Sequence, residues 1–181
     1  MKVYLFLAEG FEEIEAIAPI DIFRRAGIEL TTVSVKNEKA VTGAHNVTIL
    51  ADKLFEEVDF AGNELLFLPG GIPGTPNLEK HEGLKKLIGK QANEGGKLAA
   101  ICAAPSILGK MELLKGKEAI CYPGFENYLY DAKVSENKVV KSGNVFTAKA
   151  AGVAVKFALE LVKELKGDEI AKTISDSLFV D

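Results

Sequence analysis

Three short, nearly continuous apolar runs recur along this chain, and they limit its fold more than any other feature. They are KVYLFLA (2–8), ELLFLPGG (64–71) and KLAAIC (97–102). A strand that is apolar at almost every position must be covered on both faces. Such strands belong to parallel sheets sandwiched between helices. The intervening segments supply the helices. In FEEIEAIAPIDIFRRAG, Phe11, Ile14, Ala18 and Ile22 recur at a spacing of three or four residues, and Gly27 follows as a stop. Pro19 lies inside that pattern and predicts a kink or a locally lost hydrogen bond. HEGLKKLIGKQANEGG (81–96), APSILGKMELL (104–114), AGVAVKFALELVKELKG (151–167) and DEIAKTISDSL read as further helices. Pro105 fits the first turn of its helix, where its missing N–H costs nothing.

The other segments complete the pattern. IELTTVSVK (28–36) alternates and is β-branched, so it reads as a strand. VTGAHNVTILADK reads as short strands around Gly43, and IPGTPNLEK as a loop with a short helical turn. KEAICYPGFENY holds a strand and a turn at Pro123-Gly124. KVSENKVVKSGNVFTAKA reads as a β-hairpin turning at Ser-Gly-Asn. Strands alternating with helices predict an α/β fold of flavodoxin-like type. Its sheet is doubly wound and mostly parallel, with helices on both faces. No linker or repeat divides residues 1–181, so a single domain is expected.

Bulk properties narrow the function. The formal net charge of −4 gives no draw toward nucleic acid or an anionic membrane, so neither is an expected partner. The first apolar run is too short for a signal-peptide core or a membrane span, and a cytoplasmic location is expected. Cys102 and Cys121 read as reduced thiols, not a disulfide framework. His45 and His81 have no Cys or His at ligand spacing, so no metal site is expected. No dinucleotide fingerprint appears, and no cofactor is expected.

Ligands of such sheets bind beyond the carboxyl ends of the strands. Three elements lie there: Glu9–Glu15, Pro69-Gly70-Gly71 and Cys102. Cys102 stands at a strand-to-helix turn among Ala99, Ala100, Ala103 and Ala104, which leave room for a sharp bend. It is either a packed core thiol or a nucleophile whose pKa a helix N-terminus lowers. In the second case the Ala103 amide and the Gly70-Gly71 loop would supply anion-binding N–H groups. Glu15 is either a solvated acid of a first helical turn or a half-buried carboxyl on the side of Phe11 and Ile22. A neutral carboxyl could donate a hydrogen bond to a thiolate and relay a proton. Cys121 reads as a packed structural residue, with a resolving role toward Cys102 as the alternative.

AEGFEEIEA with RRAG downstream, then LPGG, then AAICAAP, resemble the ThiJ/PfpI superfamily over nearly the whole chain. The nearest branch is that of the human parkinsonism-associated deglycase and its bacterial homologues. The resemblance implies a class I glutamine amidotransferase-like sheet and a homodimer with the first helix near the contact. It places the nucleophilic cysteine at Cys102 and its partner acid at Glu15. It places anion-binding amides at Gly71 and Ala103, and an anion pocket at Arg25 and His45. His45 departs from the family's basic residue there. Tyr122 departs from the histidine of the human-type protein and stands as an auxiliary donor. Ala103 replaces the histidine that follows the nucleophile in the protease branch, which argues against proteolysis.

The resemblance further implies activity on α-oxoaldehydes such as methylglyoxal, or on their early adducts with proteins and nucleotides. The alternative it implies is a redox-sensing stress protein or chaperone, whose cysteine is oxidised to sulfinic acid. Relatives also carry a thiazole-phosphate (thiamine) biosynthesis label. The glycines of PGGIPG lack the lysine and hydroxyl of a phosphate loop, so that chemistry has no support here.

Overall fold

The computed structural model describes residues 2–180. The first half of the chain forms β1 (Lys2–Leu7), α1 (Glu13–Arg25), β2 (Glu29–Ser34), β3 (Ala40–Thr42), β4 (Thr48–Leu50), β5 (Lys53–Leu54), β6 (Asn63–Leu68), α2 (Gly74–Lys80) and α3 (Glu82–Asn93). The second half forms β7 (Lys97–Ile101), α4 (Pro105–Lys110), β8 (Glu118–Ala119), β9 (Lys133–Val134), β10 (Val139–Ser142), β11 (Val145–Ala148), α5 (Ala154–Lys166) and α6 (Asp168–Ser177).

The main sheet has seven strands in the order β10-β11-β7-β6-β1-β2-β5. All its pairings are parallel except β10 with β11, the hairpin expected around Gly143. The apolar runs behave as their composition requires. Val3, Leu5 and Leu7 of β1 face one core, while Tyr4 and Phe6 face the other. Leu65 and Phe67 of β6, and Ala99 and Ile101 of β7, join the first core; their alternates Leu66, Leu68, Leu98 and Ala100 join the second. Helices α1, α5 and α6 cover the first face, and α2, α3 and α4 the second. Each fully buried Leu or Phe contributes about 1.5–3 kcal/mol, so both faces are held independently of the loops that carry chemistry. The fold is therefore doubly wound α/β of flavodoxin-like type.

Three local expectations change. Ile14 does not face the core: it is 54% exposed, as is much of Ile17. The buried stripe of α1 is Glu15, Ala16, Pro19, Ile22 and Phe23, rotated by about one residue from the apolar count. Two apolar side chains are left on the surface and a carboxyl is placed in the core. Pro19, by contrast, loses its one N–H bond as foreseen while α1 continues from Glu13 to Arg25 around it. The segment after Pro73 is a seven-residue helix, α2, and not a loop with a single turn. Helix α4, in contrast, ends at Lys110, well short of Leu114. Glu112 sits at φ +59°, a left-handed conformation that no α-helix continues through.

Candidate functional site

The carboxyl ends of β7, β6 and β1 lie side by side, and each strand delivers one part of a site there. Strand order reverses between β1 and β6, so the site occupies the switch point where such sheets bind ligands. Beyond β7, Cys102 adopts φ +64°, a strained left-handed conformation costing about 1–3 kcal/mol. Backbone bonds at both sides hold it there. Its N–H donates to the Ala148 carbonyl at 2.9 Å, and its carbonyl accepts from the Tyr122 N–H at 2.7 Å. The small residues foreseen around it are buried: Ala99, Ala100, Ala103 and Ala104.

Beyond β1, the chain enters α1 through a cap. Glu12 accepts the Glu15 N–H at 2.8 Å, and its own N–H donates to the Gly70 carbonyl at 3.0 Å. This docks the start of α1 on the loop after β6. Glu15, one turn in, is fully buried, and its Oε2 accepts the Gly70 N–H at 2.9 Å. Its Oε1 is shielded from solvent, and among the described residues no group meets it at full hydrogen-bond geometry. Gly70 separates Glu15 from Cys102. A Cβ on it would lie 2.6 Å from Glu15 Oε2 and 2.7 Å from Cys102 Cβ, so only glycine lets the two side chains meet.

Burial pushes the Glu15 carboxyl up to about 7. The Glu12 charge adds to that rise, while the Cys102 thiol and the amides of Gly70 and Ala151 oppose it. Burial likewise pushes the Cys102 thiol up to about 12, followed by the charge of Glu15 and the hydrogen bond to it. The amides of Ala103 and Gly71 act in the other direction. This corrects the expectation that a helix N-terminus lowers the thiol: α4 is only six residues long, and desolvation outweighs it. The two groups touch, and the charge of an ionised Glu15 opposes ionisation of the thiol.

The remaining expected residues divide. Gly70, Gly71 and Ala103 lie at Cys102 with Glu15. Tyr122 is joined to Cys102 through its backbone, and its side chain is half exposed. Arg25 does not reach the site within this chain. It lies about 15 Å farther along α1 at ~1.5 Å rise per residue, where it pairs with Asp21 at 2.7 Å. His45 is turned to Glu13, with Nδ1 2.9 Å from Oε2, and its pKa is raised chiefly by the hydrogen bond to Glu13. Cys121 packs in the core on the face opposite to the one Cys102 packs against, as its reading as a packed structural residue expects.

Two participants escaped the sequence reading. Glu13 is buried and anchors the β3–β4 hairpin, accepting the amides of His45 at 2.6 Å and Val47 at 3.4 Å. Gly43 leaves the room its carboxylate fills. Ala151, in the turn after β11, brings its amide to Glu15. Neither carries a sequence signal, because both act through chain segments far apart in order. Glu12, Glu13 and His45 also place one donor atom each within 4.8 Å of one another, a grouping not anticipated from two isolated histidines. It sits at a helix N-terminus, whose dipole favours anions, and Glu13 is already occupied by its hairpin contacts.

A cysteine in left-handed conformation at a strand-to-helix elbow, faced by a buried carboxyl at the sheet's switch point, marks a distinct class of α/β protein. The comparison with known families agrees: the model of the DJ-1/PfpI family matches residues 1–164, and the chain belongs to that family. Protein DJ-1 homolog B of Arabidopsis thaliana is 37% identical over 179 residues, covering 98% of this chain; the chain spans 41% of that relative's length. A deglycase of Pyrococcus abyssi is 32% identical over 168 residues, 92% of this chain and 100% of the relative. The solved structure of oxidized Toxoplasma gondii DJ-1 superposes with a TM-score of 0.94 at 34% identity, covering 98% of this chain and 97% of that one. Among the described residues, no helix is long and apolar enough to cross a membrane.

Proposed function

We propose that this chain is a cofactor-free, cysteine-dependent enzyme acting on α-oxoaldehydes or their early adducts, in the manner of a glyoxalase or deglycase. The observation that carries this reading is the fully buried Glu15 carboxyl beside Cys102: one oxygen takes the Gly70 N–H, and the other meets no group at full hydrogen-bond geometry among the described residues. A protonated Glu15 would use that oxygen as a donor to a Cys102 thiolate, moving the proton from sulfur to oxygen. The thiolate then attacks the aldehyde carbon, forming a C–S bond and an alkoxide held by the amides of Gly71 and Ala103. Glu15 returns a proton to oxygen, giving a hemithioacetal. It next carries the proton from the first carbon to the second, leaving a thioester. Water cleaves the thioester, releasing lactate and restoring the thiol. The name of the archaeal relative supports the same substrate class.

Lactate release from methylglyoxal tests this. Wild-type protein is expected to be active, and Cys102→Ser and Glu15→Ala are each expected to lose at least about a hundredfold, the typical worth of a positioned acid–base or nucleophile. Equal rates in all three proteins overturn the mechanism.

A second reading rests on the different exposure of the two thiols. Cys102 is partly accessible and faces a carboxyl, whereas Cys121 is buried. Stepwise oxidation of Cys102 by peroxide to the sulfinic acid would make the protein a redox sensor. Mass spectrometry after mild peroxide is expected to place two added oxygens on Cys102 and none on Cys121. Equal oxidation of both removes this reading. A homodimer through α1 belongs to either reading and is supported by the exposed apolar residues Ile14, Ile17, Val47 and Leu50.

A further inference from the structure

We infer that Thr147 is a positioning residue for the reactive centre: its hydroxyl fixes the segment Ile120–Tyr122, and that segment holds the peptide that aims the Ala103 N–H at Cys102. The inference deepens the cysteine-centred reading above and rests on it. Thr147 lies in β11, a strand buried at every position. Its neighbours Phe146 and Ala148 face the core beneath α1, α5 and α6. Val145 faces the other core, and strand alternation turns Thr147 the same way. A valine of the same shape would fill that place with no polar atom to satisfy. The hydroxyl oxygen is put to use: it accepts the buried Ile120 N–H at 3.0 Å.

Two residues on, the Tyr122 N–H donates to the Cys102 carbonyl at 2.7 Å. Cys121, between them, is packed in the core. Farther along, the same stretch of chain is seated on α4, where a Cβ on Gly109 would strike the Tyr128 carbonyl. The stretch is thus fixed at both ends, and Thr147 supplies the fixing nearest the cysteine.

The Cys102 carbonyl and the Ala103 N–H belong to one planar trans peptide, so they point in opposite directions. Tyr122 draws the carbonyl to one side and thereby turns the N–H to the other, toward the thiol. That N–H is one of the two amides that favour the ionised thiol, the other being that of Gly71. Strand β11 also holds the preceding peptide, because the Ala148 carbonyl accepts the Cys102 N–H at 2.9 Å. Adjacent residues of β11 therefore fix both peptides of a cysteine held at φ +64°, Ala148 directly and Thr147 through the segment 120–122. Without the Thr147 oxygen, a buried N–H loses its partner and the segment moves to regain one. Tyr122 moves with it, and the Ala103 N–H turns away from sulfur.

Thr147→Val keeps the shape and removes the acceptor, whereas Thr147→Ser keeps the acceptor. Alkylation of Cys102 by iodoacetamide in the folded protein, followed by mass spectrometry across pH, reads the aim of the amide. In Thr147→Val the thiol is expected to ionise at higher pH, and its rate at pH 8 to fall by about threefold or more. Glu15 and Glu12 are present in every variant, so their charges do not account for the difference. Thr147→Ser is expected to stay within about twofold of the wild type. Ile88→Val, a core change on α3, is expected to lower the melting temperature and leave the Cys102 profile as it was. A merely structural role for Thr147 would loosen the site and speed alkylation, in Thr147→Val and Ile88→Val alike. Amide exchange in the wild-type protein gives a check that needs no variant: the Ile120 and Tyr122 N–H groups are expected to show matching protection, as one unit.

A Cys102 profile unchanged or accelerated in Thr147→Val overturns the inference. So does an equal shift in Ile88→Val, or a Tyr122 amide that exchanges independently of Ile120. A wild-type protein that releases no lactate from methylglyoxal, with the profile shifted in Thr147→Val, would sink the enzymatic reading alone. Lactate release with an unshifted profile would sink the role of Thr147 alone.

Discussion

Glu15→Gln is expected to abolish turnover and, at pH 8, to make the protein more stable. The Glu15 carboxyl would ordinarily titrate near 4.5 and is raised to about 7 by burial. A group raised on folding contributes its full stability below the unfolded value, and that contribution is lost as pH rises through the folded value. The wild-type protein therefore weakens between about pH 4.5 and about pH 7, and above that range it carries an ionised carboxyl in its core. The difference amounts to about 3 kcal/mol at pH 8 and under about 1 kcal/mol at pH 5. The neutral amide escapes this cost and can still accept the Gly70 N–H.

Urea midpoints of both proteins at the two pH values measure it. The variant's advantage at pH 8 should shrink by about 2 kcal/mol at pH 5. A gap independent of pH, or a variant weaker at pH 8, would show that Glu15 does not titrate as a buried acid. The same substitution removes the carboxylate charge and the hydrogen bond that hold the thiol up. Alkylation of Cys102 is then expected to lose any inflection near pH 7 and to follow a single ionisation below about 12. Stability surrendered at one residue in exchange for a carboxyl beside the thiol is a common pattern at reactive centres.

Gly71→Ala is expected to cost both fold and site. Gly71 has φ +102°, a conformation that L side chains rarely adopt. An added Cβ would meet the Glu12 nitrogen, the Gly10 carbonyl at 2.5 Å and the Phe11 carbonyl carbon at 2.6 Å. All three are backbone atoms, so no rotamer change relieves the contact. Strain of about 1–2 kcal/mol and overpacking of about 1–3 kcal/mol give a loss of about 2–5 kcal/mol. The loop between Gly70 and α1 would open, separating the Glu12 N–H from the Gly70 carbonyl and pulling Glu15 from Cys102. Thermal denaturation and Cys102 alkylation measure the two consequences. A variant with wild-type melting temperature and alkylation profile would mean that the loop tolerates displacement.

Much of the fold was legible because local chemistry and tertiary need coincide in it. KVYLFLA, ELLFLPGG and KLAAIC are apolar on both alternations, and only a strand covered on both faces satisfies that. Alanines around Cys102 marked the elbow because a sharp turn excludes larger side chains. Other features were not legible. Ile14 counted as core by spacing, yet α1 is rotated so that Glu15 goes inward. Helical periodicity fixes which residues share a face, but the docking of Glu12 on Gly70 decides which face turns to the sheet.

The pattern of apolar runs and helical stripes was enough to determine a doubly wound sheet, and strand ends were enough to point to Glu9–Glu15, Pro69-Gly70-Gly71 and Cys102, with the roles of Glu15 and Cys102 assigned by the family resemblance. These follow from short-range rules that any chain with the same residues obeys. The state of the proton between Glu15 and Cys102, the removal of Arg25 to Asp21 and the capture of His45 by Glu13 were decided only in three dimensions. Desolvation and charge depend on what surrounds a group in space, and those surroundings come from segments that the sequence holds far apart.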